Sequence, residues 1–135
     1  NFTEACILAD EDIVDEINEE ELLRISRKLH GFGCENIIIT SVPLKDKNKI
    51  GTSIYDCKKD LIDLIICDRL EKSYPGTGDI FTSVLTGSLL NGFDLIESTR
   101  KSCAFVEKTI EVSSQYDYPT KEGVLLEKVL RSLNN

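Results

Sequence analysis

Gly76-Thr77-Gly78-Asp79, set directly ahead of a periodic apolar run, is the group of residues in this 135-residue chain with the most capacity for chemistry. Glycines lack a Cβ, so neighbouring backbone N–H groups can turn toward one point, and such a point suits an anion. A helix beginning there adds the partial positive charge of its dipole at the same place. Asp79 then stands beside the bound anion, where a carboxylate can take the proton of an approaching alcohol. General bases of this kind contribute ~10²–10⁴ in rate. On spacing alone the same residues also read as a tight turn with an acid in the first helical turn. A Walker A loop is excluded, because no Gly-Lys-Ser/Thr follows.

The other reactive residue types offer less. Cys6, Cys34, Cys57, Cys67 and Cys103 are odd in number and include no C-x-x-C pair, which argues for reduced thiols over a zinc ribbon or a complete disulfide framework. Cys67 and Cys103 are expected as small buried hydrophobes. His30, the single histidine, precedes Gly31 at an apparent helix end, where a solvated imidazole complements the helix dipole. Lys45, Lys47 and Lys49 read as a solvated loop. With 16 basic against 24 acidic residues the formal charge is −8, which argues against nucleic acid and anionic membrane as partners. No apolar run approaches the roughly 20 residues of a spanning helix.

Several elements must position these residues. The segment 1–15 reads as a turn followed by a short helix. Asn18 with Glu21 forms a capping pair ahead of Leu22, Ile25 and Leu29 on one helical stripe, which Gly31 stops. The run from Asn36 to Val42 is apolar on both parities and predicts a strand buried on both faces of a sheet. Ile50–Tyr55 and Leu61–Cys67, joined by the charged turn at 56–60, predict a hairpin at the sheet edge. Ile80, Phe81, Val84, Leu85 and Leu89 predict a helix running from the glycine turn to Gly92. Asp94 with Glu97 caps a further helix whose inner stripe is Ile96, Thr99, Cys103, Val106 and Ile110. Thr120 is expected to cap a closing helix carrying Val124, Leu126, Val129, Leu130 and Leu133. A helix followed by a buried strand is an α/β pattern.

The stretch SYPGTGDIFTSVLTGSLLNG with a second helix after it resembles the signature of the ribokinase-like kinases, specifically the pyridoxal and pyridoxamine kinases. In these, Thr is usual at the position of Thr77, sugar kinases more often have Ala, and hydroxymethylpyrimidine kinases usually carry Cys where Asp79 stands. Asn1-Phe2-Thr3-Glu4 resembles the N-x-x-E motif, Ile38-Ile39-Thr40-Ser41 the strand-ending Thr-Ser, and Glu122-Gly123-Val124 with Glu127 the start of the final helix. The resemblance implies that Asp79 is the catalytic base and that Gly76, Thr77 and Gly78 form the anion hole for the γ-phosphate. It also implies that Asn1 and Glu4 belong to the magnesium and water network, that Thr40 and Ser41 touch ATP phosphates, and that Tyr74 and Val106 lie near the adenine.

The implied reaction is ATP-dependent phosphorylation of the 5′-hydroxymethyl of pyridoxal, pyridoxine or pyridoxamine, with ATP and Mg²⁺, in the cytoplasm, by an enzyme that is a homodimer at full length. The expected fold is the C-terminal half of a three-layer α/β/α ribokinase-like fold. Residues 1–135 are expected to form its nucleotide-binding half, because the chain has no Met, begins at the N-x-x-E motif and contains nothing that corresponds to the substrate-gripping half. Alone it is expected to bind ATP weakly, to leave pyridoxal unphosphorylated, and to self-associate through uncovered apolar surface. A sugar or nucleoside kinase of the same superfamily and a non-catalytic acidic α/β interaction module are the alternatives.

Overall fold

The chain divides into two compact units, Asn1–Arg69 and the residues from Leu70 onward. The structure, a computed structural model, describes residues 1–134.

The first unit opens on α1 (Phe2–Ala9), so the segment is a helix and then a turn, the reverse of the order read from the sequence. Asn1 is the cause. Its Oδ1 accepts the Glu4 amide at 3.1 Å while Glu4 reaches back to the Asn1 nitrogen at 2.7 Å, a capping box that starts the helix at once. Asp10, left-handed at φ 52, ends it. α2 (Glu19–His30) begins at the predicted cap, with Asn18 Oδ1 accepting the Glu21 amide at 2.9 Å, and buries Leu22, Ile25 and Leu29. These join Phe2, Ala5, Cys6, Ala9, Ile39 and Val42 in one core. Truncation of a residue such as Ile25 there costs ~2–5 kcal/mol.

The sheet is antiparallel in the order β1 (Asn36–Pro43), β2 (Lys49–Asp56), β3 (Leu61–Asp68). The predicted β2–β3 hairpin is present, but the predicted doubly buried strand is not. β1 borders the sheet, and the strand with both faces covered is β2, buried from Gly51 to Tyr55. The apolar run of β1 has a different origin. Ile39 opposes Ser53 and Val42 opposes Gly51, so Thr40 and Ser41 share one partner position in a β-bulge. The extra residue returns Val42 to the face of Ile37 and Ile39, which explains why apolar residues occupy both parities. Cys67 on β3 is half-buried.

The second unit holds α3 (Thr77–Leu90) packed on α4 (Leu95–Ser114), as the periodicity predicts. Asp94 caps α4 by accepting the Glu97 amide at 2.8 Å. The buried face of α4 differs from the predicted stripe: Thr99 and Cys103 are buried, Ile96 is exposed, and Val106 and Ile110 are half-buried. Ser98, Ser102, Phe105, Thr109 and Ser113 take the inner positions. The hydroxyls of Thr99, Ser102, Thr109 and Ser113 donate to the carbonyls one turn back at 2.7–2.8 Å, so they enter the interior already satisfied. The predicted closing α-helix is instead three short 3₁₀ turns, Thr120–Glu122, Leu126–Lys128 and Leu130–Asn134. Gly123 at φ 82 and Leu125 at ψ 69 interrupt any continuous helix, and Thr120 makes no capping bond.

In the first unit the hairpin tip is tied to α2. Arg27 bonds Asp60 through both Nε and Nη2, and the Tyr55 hydroxyl donates to Asp60 Oδ1 at 2.9 Å. His30 is half-buried rather than solvated. Its Nδ1–H donates to the Cys34 carbonyl at 2.6 Å, and its ring meets Tyr55 edge-on at 6.1 Å. The hydrogen bonds from Arg27, then that from Tyr55, hold the Asp60 carboxyl down at about 2 from an ordinary 3.8. A folded-state value below the unfolded one stabilises fully above the unfolded value and is lost as pH falls through the folded one. Acid titration of stability should therefore show a loss between about pH 4 and about pH 2 that Asp60→Asn removes, read by urea unfolding at each pH.

Candidate active site

α3 starts in an unusual way. Gly76 at its N-cap is left-handed at φ 86 and contributes no side-chain cap, whereas α1, α2 and α4 are capped by Asn1, Asn18 and Asp94. The first intrahelical bond is Ile80 N–H to Gly76 O at 3.1 Å. The amides of Thr77, Gly78 and Asp79 therefore have no acceptor within the helix, and they project at its positive end. A Cβ built on Gly76 or Gly78 would meet no atom within 4 Å, so the backbone is open from outside. Thr77 Oγ1 donates back to the Tyr74 carbonyl at 3.3 Å and steadies the turn.

Asp79 is the third residue of this helix, its side chain exposed, and no group among the described residues engages its carboxylate. From it an open groove of about 430 Å³ runs along one face of α3, lined by Thr82, Ser83, Thr86 and Gly87. Sequence reasoning missed these four. Small residues at three, four, seven and eight positions past Asp79 were the signal. Two of the three hydroxyls among them are committed as donors, Thr82 to Gly78 O at 3.0 Å and Ser83 to Asp79 O at 2.7 Å, and a hydroxyl oxygen that donates can still accept.

Tyr74, expected near an adenine, is buried, its ring stacked on Tyr118 at 6.1 Å. Its hydroxyl has no hydrogen-bond partner among the described residues, and the Tyr118 hydroxyl donates to the Gly123 carbonyl. Burial, and after it the neighbouring Tyr118, pushes the Tyr74 phenol up. Val106 sits half-buried midway along α4. Tyr74 and the glycine turn thus form one continuous feature of the second unit.

In the first unit Thr40 and Ser41 do not end their strand. They form the bulge in β1, with Ser41 exposed and held at φ 60, a conformation costly for a residue with a Cβ. Bulges of this kind re-aim side chains beside binding sites. Asn1 and Glu4 lie together as the α1 capping box, both exposed. Among the described residues no three His, Cys, Asp or Glu side chains gather as a cation cage. Mg²⁺ is commonly held by one or two carboxylates with phosphates supplying the remainder, and Glu4 fits that lesser demand.

The model of the phosphomethylpyrimidine kinase family matches residues 1–124. The chain belongs to this family. A Bacteroides thetaiotaomicron protein assigned as a phosphomethylpyrimidine kinase is 38% identical over 100% of the chain, with TM-scores of 0.93 and 0.92 in two crystal forms, the second with pyridoxal. The pyridoxal kinase of Lactobacillus plantarum shares the fold at TM-score 0.83, 24% identity and 98% coverage of this chain. That of Staphylococcus aureus, in complex with AMP-PCP and pyridoxal, shares it at TM-score 0.70, 24% identity and 82% coverage. The chain spans about half the length of the structures it matches, 46–48% of the Bacteroides protein, 47% of the Lactobacillus kinase and 40% of the Staphylococcus one. No curated protein matches. The expected ribokinase-like α/β half-fold is thereby borne out, as is the family resemblance.

The two glycines of the turn differ in what the fold asks of them, and the family's glycine turn can be dissected on that difference. Gly76→Ala meets no steric clash but must adopt φ 86, so stability should fall by about 1–2 kcal/mol. Gly78 is helical and unhindered, so Gly78→Ala should leave stability level or raise it by up to about 1 kcal/mol. Urea unfolding of both variants checks the pair.

Proposed function

We propose that this chain carries the nucleotide-phosphate site and the catalytic base of an ATP-dependent kinase that phosphorylates the 5′-hydroxymethyl of a B6 vitamer. The observation that carries the reading is the start of α3: open amides at a helix N-terminus with the unengaged Asp79 carboxylate beside them. In this reading the amides of Gly76, Thr77 and Gly78 receive the charge on the transferring phosphoryl group. Asp79 takes the proton of the alcohol as its oxygen attacks. Phosphoryl transfer asks for little covalent chemistry from a protein, so positioning and charge neutralisation supply most of the acceleration.

Thr40 and Ser41 are proposed to contact ATP phosphates, with the bulge as the device that presents them, and Tyr74 and Val106 to lie toward the adenine. Magnesium, bound by ATP phosphates with Asn1 and Glu4 in its water network, would offset phosphate charge. Residues 1–135 act as the nucleotide-binding half, inactive alone, and the complete enzyme is a cytoplasmic homodimer. AMP-PCP and pyridoxal bound to the Staphylococcus relative, and pyridoxal in the Bacteroides one, support this choice of ligands.

Phosphorylation of a hydroxymethylpyrimidine is the second reading, favoured by the family whose model matches. Both acceptors present a hydroxymethyl on a heteroaromatic ring, and the resemblance separates them by Asp or Cys at position 79. Turnover of purified complete enzyme on pyridoxal, hydroxymethylpyrimidine and ribose decides among them, pyridoxal being the expected best acceptor. Asp79→Asn should lower kcat by at least about 10²-fold while ATP affinity stays within a few fold. Retained turnover would remove Asp79 from the base role. Gly78→Ala should lose ATP affinity without losing stability, because only the approach of a phosphate requires the missing Cβ.

A further inference from the structure

The turn that precedes α3 is held from outside by the chain that follows α4. Tyr118 lies just past the end of α4, and its hydroxyl donates to the Gly123 carbonyl at 2.8 Å, closing the loop 118–123 on itself. The Tyr118 ring stacks on Tyr74 at 6.1 Å with 27° between planes. Gly123, at φ 82, comes so close to the turn that a Cβ there would sit 3.6 Å from the Pro75 carbonyl oxygen. The far side of this loop is anchored as well, since the Leu125 amide donates to Ser113 Oγ at 2.9 Å and that hydroxyl donates onward to Thr109 O at 2.7 Å. The other side of the turn is tied down by Lys72, which donates to Ser114 O at 3.0 Å.

Tyr74 and Pro75 immediately precede Gly76, the left-handed residue that sets the direction of the Thr77 and Gly78 amides. A glycine at φ 86 has no side chain to hold its conformation, so its neighbours must do so. Those neighbours meet Tyr118 and Gly123.

We propose that Tyr118 is a positioning residue for the phosphate-binding turn: bonded to Gly123 and stacked on Tyr74, it fixes the Tyr74-Pro75 segment and thereby aims the Thr77 and Gly78 amides. The role rests on the function proposed above and adds to it a residue outside the motif. It acts through Tyr74 and Pro75 and stands outside the glycine turn itself. Its effect therefore falls on how well the amides meet the transferring group, which is felt in kcat, and it leaves ground-state binding of the alcohol alone.

The test is steady-state kinetics of the complete enzyme carrying Tyr118→Phe, which keeps the ring and removes the hydrogen bond, and Tyr118→Ala, which removes both. Tyr116→Phe, on the exposed neighbour, is the control. Tyr118→Phe should lower kcat about three- to tenfold, the scale of one hydrogen bond, with KM for the acceptor within about twofold. Binding of AMP-PCP measured by calorimetry should weaken by a similar factor, Tyr118→Ala should lose more on both readouts, and Tyr116→Phe should lose nothing. A folded Tyr118→Phe with unchanged kcat and unchanged AMP-PCP affinity would overturn the positioning role, whatever happens to the Ala variant. An inactive Asp79→Asn beside a fully active Tyr118→Phe sinks this inference and leaves the proposed function standing, while a fully active Asp79→Asn sinks both.

Discussion

An α-helix cannot satisfy its own first amides, and each helix must find acceptors for them elsewhere. In this protein α1, α2 and α4 do so with a side chain of their own, from Asn1, Asn18 and Asp94. α3 does not. Its first residues follow a left-handed glycine that offers no oxygen, and its amides remain available to whatever anion arrives. Such an end costs the folded state little, about a few tenths of a kcal/mol, because glycine is itself a fair N-cap residue. The open end suits an anion, which would satisfy the free amides and add charge complementarity to the dipole.

The surrounding structure is arranged so that this open end keeps its shape. The Thr77 hydroxyl returns to the Tyr74 carbonyl, Lys72 ties the approach of the turn to the end of α4, and the 118–125 segment closes over Tyr74 and Pro75. The two glycines do different work within it. Gly76 supplies a backbone angle that other residues reach only under strain, while Gly78 occupies an ordinary helical position where its lack of a side chain matters only to something outside the protein. Asp79 completes the arrangement by standing on the rigid first turn of a helix rather than on a loop, so its carboxylate moves only about its own side-chain bonds.

Much of this was legible in the residues, and what was legible was local. Asn18 with Glu21 and Asp94 with Glu97 announce helix starts because a cap is a contact between residues three apart. The hairpin was readable from its charged turn, and the glycine turn from composition and position. The misread parts depend on information that periodicity of apolar residues does not contain. On α4 the inner face belongs to serines and threonines, invisible to a search for Val and Ile because each hydroxyl is satisfied by its own helix. In the tail Leu126, Val129, Leu130 and Leu133 keep a helical spacing, yet Gly123 takes a positive φ and lies where a Cβ would come 3.6 Å from the Pro75 carbonyl, far away in sequence. Tyr118 was invisible for the same reason, its partners being set by the tertiary fold.

The bulge in β1, whose apolar residues on both parities imitate double burial, has a bearing on how this strand can vary. Thr40 and Ser41 face a single position of β2, so the residues on either side of them are out of step by one. Deleting either would straighten the ladder with Ile39 and Val42 two residues apart, still on one face and still opposite Ser53 and Gly51, so the core would keep its packing and only the displayed pair would be lost. The core therefore does not need the surplus residue, whose contribution is the presentation of Thr40 and Ser41. The strand counts its residues, and the surplus one is where its two polar side chains are displayed.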